Sequence, residues 1–486
     1  MAVIGKSRNL SKSAHPVLSI AVMAGILAAA SGIASAQAAE AAPFRGAQLG
    51  VWWIIPFAGI LASLAIFPLA APHLWHRRYG LVSLFWALTF IIPFAARFGV
   101  AETTHELAHA ILTEYVPFIV LIGALYTIAG GIHVGGDIPG KPGANTLLLL
   151  IGTALASIVG TTGASMILIR PLIRANRNRP RNAHVAVFFI FLVSNIGGAL
   201  TPLGDPPLFL GYLQGVDFLW PLHNLWKMTV LLTALLLAVF FLIDSYFYRQ
   251  DKAAGDVPPP KLALKIRGLI NLPLIVLLIA AVVASGSYQS IGSLSVLGAA
   301  IPWANVMRDI ALIVLALASL LLTPQIHRDN NVFTWGPVIE VAKIFASIFV
   351  TIIPAIAILK AGREGSLSPL IAMLGDTQTP NNIAYFWLTG GLSGFLDNAP
   401  TYLVFFNAAG GQASDLMGPL SPTLAAISAG AVFMGANSYI GNAPNFMVKA
   451  IAEEQGIQMP GFFGYMLRSG AILAPAFLLI TLIFFR

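Results

Sequence analysis

Asp205 and Asp397 stand in polar stretches that interrupt apolar runs of membrane length, a setting in which a carboxylate needs a partner. Around the first, residues 194–210 read SNIGGALTPLGDPPLFL, with apolar residues running up to the break from Val185 and on to Leu213. Thr201-Pro202 and Gly204-Asp205-Pro206-Pro207 remove backbone donors and release carbonyls from any continuous helix. At membrane depth such a break must line a cavity. An aspartate there costs roughly 2.5 to 3.5 kcal/mol, so it calls for a cation, a proton or a donor group. A surface loop rich in turn residues would look similar, but the break recurs. Residues 435–445, GANSYIGNAPN, lie between the apolar runs 424–434 and 446–451 and repeat the order Asn, Gly, a polar residue, Pro. Interrupted segments at corresponding places in two halves of a chain are the mark of a secondary transporter built from inverted repeats.

Two further polar tips, Gly160-Thr161-Thr162-Gly163-Ala164-Ser165 and Leu396-Asp397-Asn398-Ala399-Pro400-Thr401, complete the set. The four breaks suggest two clusters. One holds Thr161, Thr162, Gly163, Asn195, Gly198, Thr201 and Asp205; the other holds Asp397, Asn398, Thr401, Asn437, Ser438, Asn442 and Asn445. All offer oxygen, from side chain or backbone. Hard ligands of this kind, without cysteine and without a histidine pair, suit a small alkali cation better than a transition metal. Each cluster has one carboxylate, and a buried carboxylate resists ionising unless a cation compensates it. Sodium ion and proton would then compete for Asp205 and for Asp397, and that competition with alternating exposure suffices for exchange of one ion for the other.

Two other chemistries fit parts of the pattern. Half-helix N-termini, hydroxyls and amides at the breaks could hold the carboxylates of citrate or a dicarboxylate taken up with sodium or protons. Against it, two aspartates would repel the anion, and no Arg or Lys lies within the four breaks. His105-Glu106-Leu107-Ala108-His109 is a literal HExxH, the zinc pattern of metalloproteases, for which Asp397 would have to supply a distant ligand. It sits at the polar start of an apolar run, where a protease core is not expected. The reading is therefore of a transporter with no catalytic residues, no resident cofactor and no transition metal, with Na+ as the transported ion.

The elements that must position these residues follow from composition. With 57% hydrophobic and 9% charged residues, the 486-residue chain is an all-α polytopic membrane protein in contact with lipid. The absence of cysteine excludes disulfides and thiolate metal sites. The net charge of +8 sits in short clusters between apolar runs, which speaks for membrane orientation and against nucleic acid. Residues 1–36 have the form of a signal peptide, with Lys6, Arg8 and Lys12, an apolar run 17–30 and Ala34-Ser35-Ala36.

Spans are expected at 52–71 and 81–97, with His76-Arg77-Arg78 between them inside and a loop carrying Glu102, Glu106 and Glu114 outside. Arg174, Arg177, Arg179 and Arg181 form the next basic cluster, so only one of the stretches 115–133 and 145–172 can cross; the second, with its small polar tip, is read as a re-entrant hairpin. A broken span 184–213 and a span 225–248 close repeat one, 50–248. A cytoplasmic linker, 249–268, holds Pro258-Pro259-Pro260 with Lys261, Lys265 and Arg267. Repeat two, 269–486, runs through 269–285, 309–323 with His327 and Arg328 inside, 338–359, a hairpin 383–406, a broken span 423–451 and 467–485. Glu340 and Lys343, three apart on one helical face, are placed to pair.

On the segments SNIGGALTPLGDPPLFLG, GTTGASMILIRPLI, LDNAPTYLVFF and ANSYIGNAPN, the chain resembles the ion transporter superfamily, in its putative citrate transporter or NhaD-type sodium/proton antiporter branch. The resemblance runs from about Trp52 to the C-terminus. It implies two hairpins and two unwound helices whose tips bind sodium, a homodimer with a scaffold and a moving transport domain, and a place in the bacterial inner membrane. It also implies one site from Thr161–Gly163, Asn195, Gly198 and Asp205, and another from Asp397, Asn398, Asn437 and Asn442. Carboxylate carriers of the superfamily show Ser-Asn-Thr at both tips; here the tips read Gly160-Thr161-Thr162 and Asp397-Asn398-Ala399, which favours cation exchange.

Overall fold

The computed structural model describes residues 45–253, 263–288, 292–376 and 379–486. The expected signal peptide, 1–36, and the linker residues Pro258 to Lys261 lie outside the described residues. Among those described, eight helices are long and apolar enough to cross a membrane, or nine when Gly336–Thr351 and Ile353–Lys360, bent by 41°, count as one span. Asn271–Ser287 is a shorter apolar helix. The molecule is therefore an all-α polytopic membrane protein, and its described strands form three two-stranded pairs.

The first half runs α1 (Ile55–Ala70), α2 (Pro72–Phe98), α3 (Val100–His109), a π-helical turn Ala110–Tyr115, α4 (Val116–Ala129), α5 (Pro142–Val159), α6 (Thr161–Ala175), α7 (Ala183–Leu192), α8 (Pro206–Leu213) and α9 (Trp220–Ala253). The second runs α10 (Asn271–Ser287), α11 (Trp303–Leu322), α12 (Gly336–Thr351), α13 (Ile353–Lys360), α14 (Asn382–Phe395), α15 (Asn398–Ala408), α16 (Ser421–Met434), α17 (Ala443–Glu454) and α18 (Phe462–Phe484). Two packed groups result. In one, α2 lies on α12, α4 on α11, and α1 and α10 flank them; in the other, α8 meets α15, α6 meets α17 and α14 lies along α16.

Local chemistry sets the breaks. Gly160, at φ +79, separates α5 from α6 in a conformation a side chain would resist. Pro206 opens α8 and Pro444 lies in the first turn of α17, where the missing N–H costs no hydrogen bond. The α5–α6 pair turns back on itself. Asn145 and Asn176 exchange amide hydrogen bonds of 2.9 Å at its base, and a Cβ on Gly140 would lie 2.3 Å from the Ala175 carbonyl oxygen.

Several expectations are corrected. Glu102, Glu106 and Glu114 are helical, on α3 and the π turn. Arg77 and Arg78 lie inside α2, which begins already at Pro72. Both ends of the expected linker belong to regular elements: 249–253 extend α9, and β2 (Ala263–Arg267) pairs antiparallel with β1 (His133–Asp137), Lys265 opposite Gly135. Arg328, read from sequence only as a basic residue on the inner side, is buried, 2% exposed. Its guanidinium donates to the carbonyls of Thr127 (2.6 Å) and Ser319 (3.0 Å) and to Ser319 Oγ (2.7 Å), tying α4 to α11. Glu340 and Lys343 have separate partners: Trp75 Nε1 donates to Glu340 at 3.1 Å, and Lys343 Nζ lies 5.4 Å from the centre of the Tyr79 ring.

Candidate ion-binding site

Four half-helices begin at one carboxylate. Thr161 is the first residue of α6 and Asn398 of α15, while Asp205 and Asn442 immediately precede α8 and α17. Asp205 is 1% exposed. Its Oδ1 accepts from Thr161 Oγ1 at 3.0 Å and from Asn442 Nδ2 at 2.9 Å, and its Oδ2 accepts from Asn398 Nδ2 at 2.5 Å. The donors are charge-assisted and come from both halves of the chain. Helix N-termini also present positive dipole ends to the carboxylate.

A second layer holds these donors. Asn442 Nδ2 also reaches the Ser194 carbonyl (3.1 Å) and Asn195 Oδ1 (3.3 Å). Asn195 Nδ2 donates to Asn445 Oδ1 (2.7 Å), and Asn445 Nδ2 to the carbonyls of Gly435 (2.8 Å) and Ser438 (2.9 Å). Ser438 Oγ in turn accepts the amides of Ile440 and Gly441 at 3.2 Å. The Thr161 amide donates to the Gly204 carbonyl at 2.8 Å, joining the α6 tip to the break before Asp205. Gly198 allows the approach: a Cβ there would lie 2.7 Å from Thr161 Cγ2 and 3.0 Å from Asp205 Cβ. Thr161, Asn195 and Asp205 of one expected cluster and Asn398, Ser438, Asn442 and Asn445 of the other are thus joined in one network, and Asp205 takes two of its three donors from the other half.

The remaining candidates lie around this centre. Thr162 and Gly163 line, with Asp205, Phe118 and Phe209, a cavity of about 50 Å³. Gly163 lets α6 press on α4, since a Cβ would stand 3.0 Å from Ala129 Cβ. Thr201 bonds the Ser157 carbonyl, and Thr401 Oγ1 the Asp397 carbonyl at 2.9 Å, so both hydroxyls are engaged by backbone. Asn437 is set against Gly394 of α14, and its carbonyl accepts from Ser469 Oγ at 2.7 Å.

Asp397 is 7% exposed and caps α15 by accepting from the Ala399 amide at 3.1 Å. It lines a cavity of about 410 Å³ together with Arg170, Glu340, Asn442 and Glu454. Asn442 therefore joins this cavity to Asp205. Sequence reasoning missed Arg170 and Glu454 as site residues; the guanidinium seven residues after the GTTG tip was a signal available for the first. Three carboxylates against one guanidinium make the chamber attractive to cations.

Asn398 supplies the clearest ligand signal. Its amide hydrogen is spent on Asp205, while its Oδ1 is buried with no hydrogen-bond partner among the described residues. An unpaired buried acceptor beside a carboxylate is a donor set for a hard cation. In HExxH, His105 Nδ1 lies 3.6 Å from Glu106 Oε1, and no group of three or more His, Cys, Asp or Glu among the described residues could hold a metal ion.

A family model described as putative citrate transport matches residues 46–485, nearly the whole described chain. No curated protein matches.

Proposed function

Because the chain belongs to the putative citrate transport family, we propose that it is a secondary transporter that exchanges sodium ions for protons across the bacterial inner membrane by alternating access. The observation that carries this reading is the buried Asp205 carboxylate with the unpaired Asn398 oxygen beside it. An ion entering there meets a charge and a free oxygen, and a proton can take the carboxylate in its place. Asp397, on the wall of the acidic chamber, is the second carboxylate able to carry a proton or a sodium ion.

The architecture supports the reading. The order span, span, span, helix pair, broken helix, span occurs twice, which we interpret as two inverted repeats with α5–α6 and α14–α15 as re-entrant hairpins. The chamber holding Asp397 is bordered by Leu64 and Pro68 late in α1 and by Arg170 late in α6, helix ends that lead to Arg77, Arg78, Arg174 and Arg177, which the positive-inside rule assigns to the cytoplasmic side.

Proteoliposomes containing a pH dye test it. Sodium added to the wild type dissipates a pH gradient, while Asp205→Asn and Asp397→Asn, each purified as folded protein, give no response. The reading fails if the wild type takes up labelled citrate with sodium and moves no protons in exchange. Citrate coupled to sodium or protons is the second reading, favoured by Arg170 in the chamber and by the family's description.

A further inference from the structure

On the face opposite the acidic chamber lies a cavity of about 450 Å³, lined by Arg45, Glu106, His109, Glu114 and Lys360 among others. The opposition follows from the helices that line both. Leu64 and Pro68, late in α1, border the acidic chamber, whereas the Arg45–Ala47 segment before α1 borders the outer cavity; Pro337 and Glu340, early in α12, border the chamber, and Ala357 and Lys360 of α13 the outer cavity.

Glu114 sits in the π turn between α3 and α4. One extra residue in the turn rotates the side chains before it relative to those after it, and such turns gather at functional positions. Its Oε1 accepts from Gln214 Nε2 at 3.0 Å. Gln214 follows the last residue of α8, the eight-residue helix that Asp205 immediately precedes at its other end. Two residues earlier, Tyr212 hydroxyl donates to the Val282 carbonyl of α10 at 2.6 Å. The short helix bearing Asp205 is thus held at its far end by two contacts to the scaffold.

Below Glu114 on the same helix face come Phe118, Ile122 and Leu125, at successive turns. All three line the small cavity that contains Asp205, and Tyr126, next in sequence, lines both that cavity and the acidic chamber. Three cavities therefore follow one another along a single span.

We propose that the outer half of the ion path runs along this face of α3 and α4, with Glu114 as its carboxylate, binding a monovalent cation, sodium ion or proton, between the outside and Asp205. Phe118, Ile122 and Phe209 form the apolar constriction closed in this conformation. Occupation of Glu114 weakens its bond to Gln214 and frees α8. The groups facing it are Glu106 and His109 on its own span, Gln214 on α8, Lys360 on α13 and Arg45 before α1. The proposal rests on the sodium/proton reading for its ion, though not for the existence of the entry.

The chain has no cysteine, so Ala110→Cys, one turn before Glu114 on the outer cavity's wall, places a single reporter there. In proteoliposomes, an impermeant thiol reagent added from the outside should modify it, and sodium should slow that modification. Adding Glu114→Gln should abolish the protection by sodium. In transport assays Glu114→Gln should raise the external KM for sodium about tenfold, equivalent to ~1.4 kcal/mol, with the cytoplasmic KM unchanged and with Glu114→Asp restoring much of the loss. Modification only from the inside, modification that sodium does not slow, or equal changes at the two faces would overturn the proposal. A wild type without sodium/proton exchange would overturn the reading of the function, and the reagent assay would still decide whether cations enter at Glu114.

Discussion

Asp205 is held by Thr161, Asn398 and Asn442, and the three donors are separable by experiment. Thr161→Val is nearly isosteric and keeps the methyl that packs against Gly198, so it removes a hydrogen bond without opening a cavity. A hydrogen bond to a charged group is worth about 1.5–3 kcal/mol, and Thr161→Val should weaken sodium affinity by roughly ten- to a hundredfold. Asn398→Ala removes both a donor to Asp205 and the unpaired oxygen, so its loss should exceed that of Thr161→Val; sodium titration of the purified variants measures both. Equal or smaller loss in Asn398→Ala would remove that oxygen from the ligand set. At this scale the sequence was informative about residue type and silent about partner. An aspartate among prolines in an apolar run is legible because its cost is local. That its donors stand 193 and 237 residues away is a matter of tertiary contact, and no spacing reports it.

The helices that carry these residues are fixed at their base by a buried ionic cluster. Arg179 Nη2 lies 2.6 Å from Asp244 Oδ1, and Arg179 Nε lies 3.3 Å from Asp251; His184 Nε2 and Asn145 Nδ2 each lie 2.9 Å from Asp244. The cluster joins the open end of α5–α6 to α7 and α9, so the tip at Thr161 is positioned by contacts at the other end of its own helix. Asp244→Ala leaves Arg179 without its nearest counter-charge, and breaking a buried pair costs about 3–5 kcal/mol. The expected result is a lower melting midpoint in detergent, with the transport that remains tracking the folded fraction. Unchanged melting would mean that the cluster does not fix the hairpin. From sequence, Arg179 reads only as one of four basic residues marking the inner face, because a charge cluster beside an apolar run looks alike whether solvated or buried. Helix breaks fared better: glycine and proline act on their own backbone, so the breaks before α6, α8, α15 and α17 were legible. The π turn at Ala110–Tyr115 has no such local cause, and the stretch carrying Glu114 reads instead as a loop.

For the whole molecule the decisive question is on which side each segment ends. Pro142–Val159 is long and apolar enough to cross a membrane, yet the chain that follows it returns to its starting point, where Arg179 Nη1 donates to the Gly140 carbonyl at 3.3 Å and Asn176 pairs with Asn145. Counting it as a span would put the basic clusters around Arg78 and Arg177 on opposite faces; treating α5–α6 as a hairpin keeps them together. The proposed reading of the two halves as inverted repeats depends on that choice. In a chain without cysteine the choice can be read directly. Single cysteines replacing Lys141 and Arg177 should react with an impermeant maleimide only in inside-out vesicles, and those replacing Glu102 and Asp217 only in right-side-out ones. Lys141→Cys and Arg177→Cys reacting from different sides would make α5–α6 a crossing, reverse the orientation of every later segment, and remove the inverted-repeat reading.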